Sequence, residues 1–288
     1  MTDIASDAPL SKARNSPLGS ILKRHWAVAF AFIYLAILAL WVAFPARFAS
    51  FDPLAVSVAS KLKPPSVEHL FGTDHLGRDL LARVIYGTQN SLMSTLIAVI
   101  IGLVIGSTVG LVSGFSPTRI DAAIMRVVDI LLAIPNLLLS LAIVTALGFG
   151  LVPVAIAVGL GSVGSFARIM RSEVIRVKEL PFVESAHLLG ASPVSVAIRH
   201  VLPHSWGPVV ALSAIEFGAA VLSVSALSFL GFGAPPPEIE WGLLVSEGRR
   251  FISASWWLIA FPSLFIVLTV IAANSLGRFL ENKFGASH

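Results

Sequence analysis

The sequence has no cysteine among its 288 residues. This absence excludes disulfide bonds, cysteine-bound zinc, iron–sulfur clusters and thiol nucleophiles from the chain. Charged side chains are also scarce, because Asp, Glu, Lys and Arg make up only 12% of the residues, about half of the roughly 25% found in soluble domains. With 56% hydrophobic residues and a mean hydropathy of +0.87, the composition is typical of a membrane protein.

The chain also lacks the short motifs of common catalytic sites. It contains no Gly-x-Ser-x-Gly hydrolase turn and no Gly-x4-Gly-Lys-Ser/Thr loop for nucleotide phosphates. The seven histidines are scattered, and we expect no His-x-x-x-His or His-Glu pair that would make a zinc site. We therefore expect no enzymatic activity and no metal site in this chain. The sequence pI of about 9.8 does not indicate nucleic-acid binding, because the Lys and Arg residues flank apolar runs instead of clustering with aromatic residues.

What the sequence does contain is a series of apolar runs, each about long enough to cross the hydrocarbon core of a bilayer. A backbone in lipid must satisfy its own hydrogen bonds, so the spans are predicted to be helices. The first run is longer than the apolar part of a usual signal peptide, and we expect it to remain as an uncleaved helix. The prediction is an all-α polytopic membrane protein with about six transmembrane helices, at residues 26–44, 91–115, 127–147, 151–166, 208–230 and 257–276.

The basic residues predict how the spans are oriented. With a cytoplasmic N-terminus, 13 of the 20 Lys and Arg residues lie on the inner side, as the positive-inside rule favours. Both termini and segment 168–199 are then cytoplasmic. The two outer segments, 45–88 and 231–256, are rich in Pro, Gly and aromatic residues, which favours short ordered elements on the membrane face over an independent domain.

Residues 181–203 form a long polar stretch that predicts a helical hairpin. Pro181 can occupy the first turn of one helix, and Gly190 tolerates the left-handed conformation that ends it. Ser192 and Pro193 are typical of an N-cap and the first position of a second helix, and Pro203 should stop that helix before the next span. One apolar stripe is expected at Phe182, Ala186 and Leu189, and another at Val194, Ile198 and Val201.

Two interpretations of this hairpin fit its pattern. Helices this short are unstable alone in water, so each needs a surface to pack against. That surface could be the lipid or the protein's own bundle, or it could be the groove of a cytoplasmic partner.

The hairpin also resembles a known element. Glu184-Ser185-Ala186, followed at matching distances by Gly190 and by Leu202-Pro203, is similar to the EAA loop of ATP-binding-cassette (ABC) importer permeases, E-A-A-x3-G-x9-I-x-L-P. Ser185 replaces the middle alanine, and His200 replaces isoleucine, as is usual in the dipeptide/oligopeptide/nickel branch. The resemblance implies docking of an ATPase through Glu184, Ser185, Ala186, Gly190, Ala191, Ser192, Pro193, His200, Leu202 and Pro203.

Two further motifs resemble the same branch. Residues 71–79, FGTDHLGRD, are similar to the signature that precedes its second span, and they supply Gly72, Thr73, Asp74, Gly77, Arg78 and Asp79. Residues 227–233, LSFLGFG, followed by Trp241-Gly242, resemble the elements near the outer end of its fifth span. Many relatives carry an acid where this chain has Val224, so the role of that acid does not transfer here. The residues expected in the pathway or at an interface are Glu216, Ser228, Phe229 and Gly231.

The resemblance implies a C-type permease subunit of a bacterial inner-membrane ABC importer. Its expected partners are a B-type permease in a heterodimer, two ABC ATPase subunits that bind ATP and Mg, and an external solute-binding protein, with no cofactor in this chain. The cargo is expected to be dipeptides or oligopeptides. The alternatives are an importer of nickel or other small solutes and, from another class, a secondary transporter driven by an ion gradient.

The same reading divides the chain into four parts. Residues 1–25 are a cytoplasmic leader, 26–88 the first span with its outer segment, 89–280 the transmembrane domain with the EAA loop at 181–203, and 281–288 a cytoplasmic tail.

Four other features carry expectations of their own. Gly102, Gly106, Gly110 and Gly114 recur every four residues and predict a close helix contact, either within the subunit or with the partner permease. Glu216 is expected to line a cavity or to pair with a neighbouring helix, unless it lies near the water interface.

Asp129 lies close to Arg126 and suggests a local ion pair or a cap. Asp79 and Arg83 are four residues apart, and Asp74 could cap a short helix; these residues serve either the local structure or contact with a partner.

Overall fold

The computed structural model describes residues 17–285. Residues 1–16 of the predicted leader and 286–288 of the predicted tail lie outside the described residues. Every regular element within 17–285 is helical, which confirms the all-α prediction. The helices are α1 (Pro17–Ala43), α2 (Pro45–Phe48), α3 (Leu80–Phe115), α4 (Thr118–Ala133), α5 (Asn136–Leu147), α6 (Leu151–Lys178), α7 (Pro181–Leu188), α8 (Pro193–Val196), α9 (Leu202–Phe229), α10 (Trp241–Gly248) and α11 (Trp257–Gly285).

Five helical stretches of the described chain are long and apolar enough to cross a membrane: Trp26–Ala43 of α1, and then α3, α6, the run from Pro193 to Phe229, and α11. The predicted span at 127–147 is different, because it is two helices, α4 and α5, that meet at a bend of 94°. The break falls at Pro135, which has no N–H and holds the residue before it out of the α conformation. Ile134 is accordingly extended. Counting this bent pair as one span brings the number to six.

The centre of the bundle is the contact between α3 and α6, which run parallel. The four glycines spaced by four residues face α6, and a Cβ at Gly106 would lie 2.5 Å from the Cβ of Phe166 and 2.6 Å from the carbonyl oxygen of Val163. The side of α6 that they meet is buried, with Phe166 and Met170 at 0% exposure. Of the two interpretations of the glycine row, the structure supports packing within the subunit.

The remaining long helices surround this pair. Helix α11 lies antiparallel to α9, with Gly277 against Ile215 and Gly207 against Phe284. Helix α1 packs on α11, where the Tyr34 hydroxyl donates to the carbonyl oxygen of Phe265 at 2.9 Å. Helix α4 is tied to α6 by ion pairs, and Asp129 pairs there with Arg168 at 2.8 Å. The expected pairing of Asp129 with Arg126 is therefore wrong, because the α4–α6 contact brings Arg168 closer.

The bundle has two ends with different contents. The chain between α2 and α3 and the chain from α9 to α11 meet at one end, which we call the signature end. They contain short turns and α10, in agreement with the predicted short ordered elements. The other end carries residues 181–201, which we call the hairpin.

A buried carboxyl group joins two motifs at the signature end. Glu240 precedes α10 and is 0% exposed. Its Oε2 accepts a hydrogen bond from the Ser228 hydroxyl at 2.7 Å, whereas Oε1 has no partner among the described residues. Burial raises the pKa of Glu240 to about 7, and the Ser228 hydrogen bond only partly opposes this rise. Ser91 supports the same junction by accepting, at 3.0 Å, from the backbone N–H of Trp241.

Enlarging the central glycine should loosen the α3–α6 contact. We expect Gly106→Val to destabilise the protein by about 1–3 kcal/mol, because backbone and side-chain atoms already occupy the space that the new atoms need. The measurement is the thermal unfolding midpoint of the detergent-solubilised protein. Thr108→Val on the exposed side of α3 is the control and should change the midpoint little. Equal midpoints for the two variants would contradict the packing.

The buried Glu240 should make stability depend on pH. Its pKa is about 7 in the folded protein and near 4.3 in an unfolded chain. The stabilisation is therefore complete below the unfolded value and is lost as the pH rises through about 7. We expect the unfolding midpoint of the wild type to fall between pH 5 and 8 more than that of Glu240→Gln, which stays neutral. Glu238→Gln, at an exposed position, should keep the wild-type slope, and a wild-type slope in Glu240→Gln would refute this assignment.

Candidate functional site

The hairpin folds much as its local sequence predicts. Helix α7 begins at Pro181 and ends at Leu188. Gly190 has φ +84° with open space around its Cα, so the backbone conformation alone favours glycine there. Ser192 caps α8 by accepting from the backbone N–H of Ser195 at 3.3 Å, and Pro193 follows in the first turn. The predicted helix, turn and helix are confirmed.

The end of the hairpin differs from the prediction. Pro203 was expected to separate the second helix from the next span, but the chain stays helical from Pro193 to Phe229. A π-helical turn, Ala197–Val201, joins α8 to α9, and Pro203 lies in the first turn of α9. The π-helical turn before Pro203 has a wider hydrogen-bond pattern, which does not require the N–H group that proline lacks. Proline is therefore tolerated at this position.

The apolar residues of the hairpin divide into two sets. Val183, Val196 and Val201 are no more than 1% exposed and belong to the central hydrophobic cluster, with Ala186 at its edge. Leu188 and Leu189 are 83% and 89% exposed, and Val194 and Ile198 are exposed as well. The two predicted stripes are therefore wrong as continuous faces, since Ala186 and Val201 point inward while Leu189, Val194 and Ile198 point outward. The π-helical turn changes the phase of the second helix, and Leu189 lies beyond the end of α7.

The polar members of the EAA-like run lie mostly at the surface. Glu184 is exposed, and the Ser185 hydroxyl donates to the Pro181 carbonyl oxygen at 2.8 Å. The described part of the chain contains no ion pair of Glu184. Of the residues predicted to dock an ATPase, the exposed ones are Glu184, Ser185, Gly190, Ser192, Pro193 and Pro203; Ala191, His200 and Leu202 are half-buried, and Ala186 is buried.

One spacing between histidines was not predicted from the sequence. His200 and His204 are four residues apart, which is a common spacing of zinc ligands on a helix. In the structure a ring nitrogen of His204, Nδ1, lies 2.7 Å from the backbone carbonyl oxygen of His200. The His204 ring also packs against Phe182 of α7 at 4.8 Å between centroids, which holds the hairpin against the start of α9.

At the signature end, buried ions join distant segments. Asp74 Oδ2 accepts from Arg78 Nε at 2.6 Å and from Arg83 Nη1 at 2.7 Å. The same Arg83 nitrogen lies 2.7 Å from Glu247 Oε2 in α10, and Arg78 lies 3.5 Å from that oxygen. We call these four residues the ion cluster. Glu247 was not predicted as a member, because 164 residues separate it from Arg83 and no sequence pattern links them.

Asp74 is held in its charged form within the ion cluster. Burial alone would raise the pKa of Asp74, but the backbone N–H of Arg78 and the charges of Arg83 and Arg78 outweigh it and lower that pKa. Arg83 is 2% exposed. Removing one partner from such a pair would leave an uncompensated buried charge, which is strongly destabilising.

Asp79 has a different partner from the one its spacing suggests. It caps α3 by accepting from the backbone N–H of Ala82 at 2.7 Å, and its other oxygen lies 2.8 Å from Nδ1 of His69. The four-residue spacing from Asp79 to Arg83 therefore does not mark an ion pair, because Asp74 and Glu247 take the arginine. Asp74 itself caps a turn, accepting from the N–H groups of Leu76 and Arg78.

The small residues of the signature shape this turn. Gly77 has φ +78°, and any Cβ there would collide with the carbonyl of Ser57. The Thr73 hydroxyl accepts from the backbone N–H of Lys63 at 2.9 Å and donates to the carbonyl of Ser60. Gly72 lies against the indole of Trp257 at the start of α11. The signature thus packs into this chain, which favours its local structural role.

The predicted pathway residues lie along α9. Glu216 is half-buried near the middle of α9, and its carboxylate accepts a hydrogen bond from Ser165 of α6. This placement agrees with pairing to a neighbouring helix. Phe229 ends α9 under the guanidinium of Arg249, and Gly231 has φ +95° just beyond the helix. Ser228 binds Glu240, so α9 connects the hairpin directly to the signature end.

Comparison with known proteins gives this geometry a family. Residues 102–285 match the model of the family described as binding-protein-dependent transport system inner membrane component. The di/tripeptide transport system permease protein DppC of Pseudomonas aeruginosa is 38% identical over 256 residues, covering 87% of this chain and 82% of that protein. The glutathione transport system permease protein GsiD of Pectobacterium atrosepticum is 37% identical over 263 residues, covering 91% and 87%.

A solved structure shares the fold. The MetNI methionine ABC transporter in an inward-facing conformation contains a chain that matches with a TM-score of 0.54 at 17% identity, covering 69% of this chain and 96% of that one. The family match spans more than half of the chain and includes the hairpin. This multi-pass membrane protein therefore belongs to the family of inner-membrane components of binding-protein-dependent transport systems.

Proposed function

We propose that this chain is the permease subunit of an ATP-driven importer and that its hairpin docks an ATPase subunit. The observation that carries the proposal is the exposed apolar surface formed by Leu188, Leu189, Val194 and Ile198. This surface lies between the end of α6 and the start of α9, and no described residue covers it. Such a surface fits a short helical element that binds in the groove of a partner.

The hairpin is built to pass movement into the bundle. Its inner side is anchored in the core through Val183 and Val196, and its second helix continues into α9 without a loop. A displacement applied to the exposed side would therefore move α9, and with it the Ser228–Glu240 contact at the signature end. Closure of the ATPases would act on the hairpin, and α9 would shift the pathway between inward and outward access.

The energy for this cycle comes from other subunits. ATP and Mg would be bound by two ABC ATPase subunits, and the present chain would contribute half of the pathway as a C-type permease paired with a B-type permease. An external solute-binding protein would deliver the cargo and determine most of the selectivity. Relatives named for di/tripeptide and glutathione transport favour short peptides as the cargo.

The proposed orientation places the hairpin and both termini in the cytoplasm. The absence of cysteine makes this directly measurable, because a single introduced cysteine is the only thiol. We expect Val67→Cys, whose site is 98% exposed at the signature end, to react with a membrane-impermeant maleimide in intact spheroplasts. Leu189→Cys should react only after permeabilisation. The opposite pattern would overturn the proposed orientation.

Replacing the exposed leucines should weaken docking without harming the fold. We expect Leu188→Ser/Leu189→Ser to keep the wild-type unfolding midpoint, because neither side chain is packed, while losing most of the ATPase recovered with the tagged permease. ATP-dependent peptide uptake should fall in parallel, measured in proteoliposomes in which the orientation of the permease is controlled.

The matched control is Val67→Ser, which removes an equally exposed apolar side chain at the other end of the bundle. It should retain ATPase recovery. Unchanged ATPase recovery in the double leucine variant would refute docking at this surface. Uptake that continued without ATP and followed an ion gradient would refute the importer itself.

A further inference from the structure

A cleft of about 250 Å³ lies at the signature end beside the ion cluster. Its lining residues are His75, Ser246, Glu247, Arg249, Arg250 and Phe251. Arg249 and Arg250 follow directly after α10 and are both exposed. Within residues 17–285, neither guanidinium makes an ion pair or a hydrogen bond. Arg249 lies over the Phe229 ring, 5.3 Å from its centroid.

The charge of this cleft is not balanced by its own carboxylate. Glu247 Oε2 is already bound by Arg83 at 2.7 Å and approached by Arg78 at 3.5 Å. The C-terminus of α10 also favours cations, but a helix end amounts to about half an elementary charge. Two guanidinium groups therefore keep a net positive charge at the mouth of the cleft, and the cleft favours an anion.

The surroundings of the cleft point to the class of anion. Phe251 accepts backbone hydrogen bonds from Ala254 and Ser255, which folds the chain into a turn directly before the span that starts at Trp257. Ile252 and Trp256 in this turn are 55% and 58% exposed. Tryptophan is enriched where a bilayer meets water. Two unpaired arginines thus stand beside apolar side chains at the membrane boundary.

We propose that this cleft binds the phosphate of an anionic phospholipid headgroup, with Arg249 and Arg250 on the phosphate and Ile252 and Trp256 against the lipid below it. Guanidinium groups suit phosphate because their planar N–H donors can bind two oxygens at once. A zwitterionic headgroup leaves the net positive charge of the cleft uncompensated, so an anionic lipid is favoured. The site lies next to Glu247, and a bound lipid would brace the end of α10 against the membrane.

The test uses the full-length protein, purified in detergent and stripped of lipid. Dioctanoyl phosphatidylglycerol and dioctanoyl phosphatidylcholine are titrated separately, and bound lipid is counted by native mass spectrometry. We expect phosphatidylglycerol to bind more tightly, and Arg249→Gln/Arg250→Gln to weaken its binding by about tenfold while leaving phosphatidylcholine unchanged. Arg249→Lys/Arg250→Lys should retain part of the preference, because it keeps the charge and loses the planar geometry.

The matched control is Arg47→Gln, which removes an exposed arginine of α2 at the same end of the bundle, outside the cleft. It should bind phosphatidylglycerol like the wild type. An equal loss in Arg47→Gln would show diffuse attraction to the surface and would overturn the proposal. Equal binding of the two lipids by the wild type would overturn it as well.

Two further arms separate a lipid from a free anion. Inorganic phosphate and the dipeptide dialanine are added as competitors at millimolar concentration, and neither should displace phosphatidylglycerol. Displacement by phosphate would assign the cleft to soluble anions, and displacement by dialanine would assign it to the carboxylate of a soluble peptide; either result would refute the lipid site. The single variant Arg250→Gln, which removes an exposed guanidinium that has no ion pair or hydrogen bond within residues 17–285, secures the result if the double variant does not fold, and it should still weaken phosphatidylglycerol binding severalfold. None of these outcomes depends on ATPase docking.

Discussion

An amide group in hydrocarbon has no water to bond with, and this constraint determines how the molecule can transmit movement. Each span must keep its hydrogen bonds within one helix. The run from Pro193 to Phe229 stays helical despite two internal prolines. Pro203 falls in the first turn of α9 after a π-helical turn, and Pro208, inside α9, removes one hydrogen bond without ending the helix. A surface element is thereby joined without a loop to the opposite end of the bundle. With a flexible connection at Pro203, a displacement of the hairpin would not be passed on to α9.

Proline has the opposite effect in the third span. At Pro135 the chain bends by 94° between α4 and α5, although Pro262 leaves α11 continuous. Protein covers only the side of the bend that faces α6: the Ser140 hydroxyl lies 3.3 Å from the carbonyl oxygen of Ala157 in α6, and Gly161 gives the Asn136 amide room to approach. Ile134 and Pro135 themselves are exposed. Backbone that is irregular at membrane depth is tolerated when protein covers it. The position of a proline relative to a neighbouring helix, not its presence, decides between a kink and a break.

The sequence predicts local features well and distant partners poorly. The spans, the left-handed Gly190 and the Ser192 cap follow from apolar length and from the preferences of single residues, and all three are present. The continuity through Pro203 does not follow, because the π-helical turn before it is not a preference of any single residue there. Asp129 and Arg83 show the same limit. Both were assigned partners three or four residues away, yet their partners belong to other elements, since two helices in contact can place ions closer than one helical turn does.

The two ends of the molecule differ in how their charged side chains are arranged. At the hairpin end, the exposed side has apolar side chains and Glu184, which has no ion pair within residues 17–285; this is the surface that we propose docks an ATPase subunit. At the signature end, Asp74, Arg78, Arg83 and Glu247 pair with one another and connect chain segments that are far apart in sequence. Buried ion pairs add little net stability, but they penalise every arrangement that separates them. The ion cluster therefore specifies how the segment before α3 meets α10.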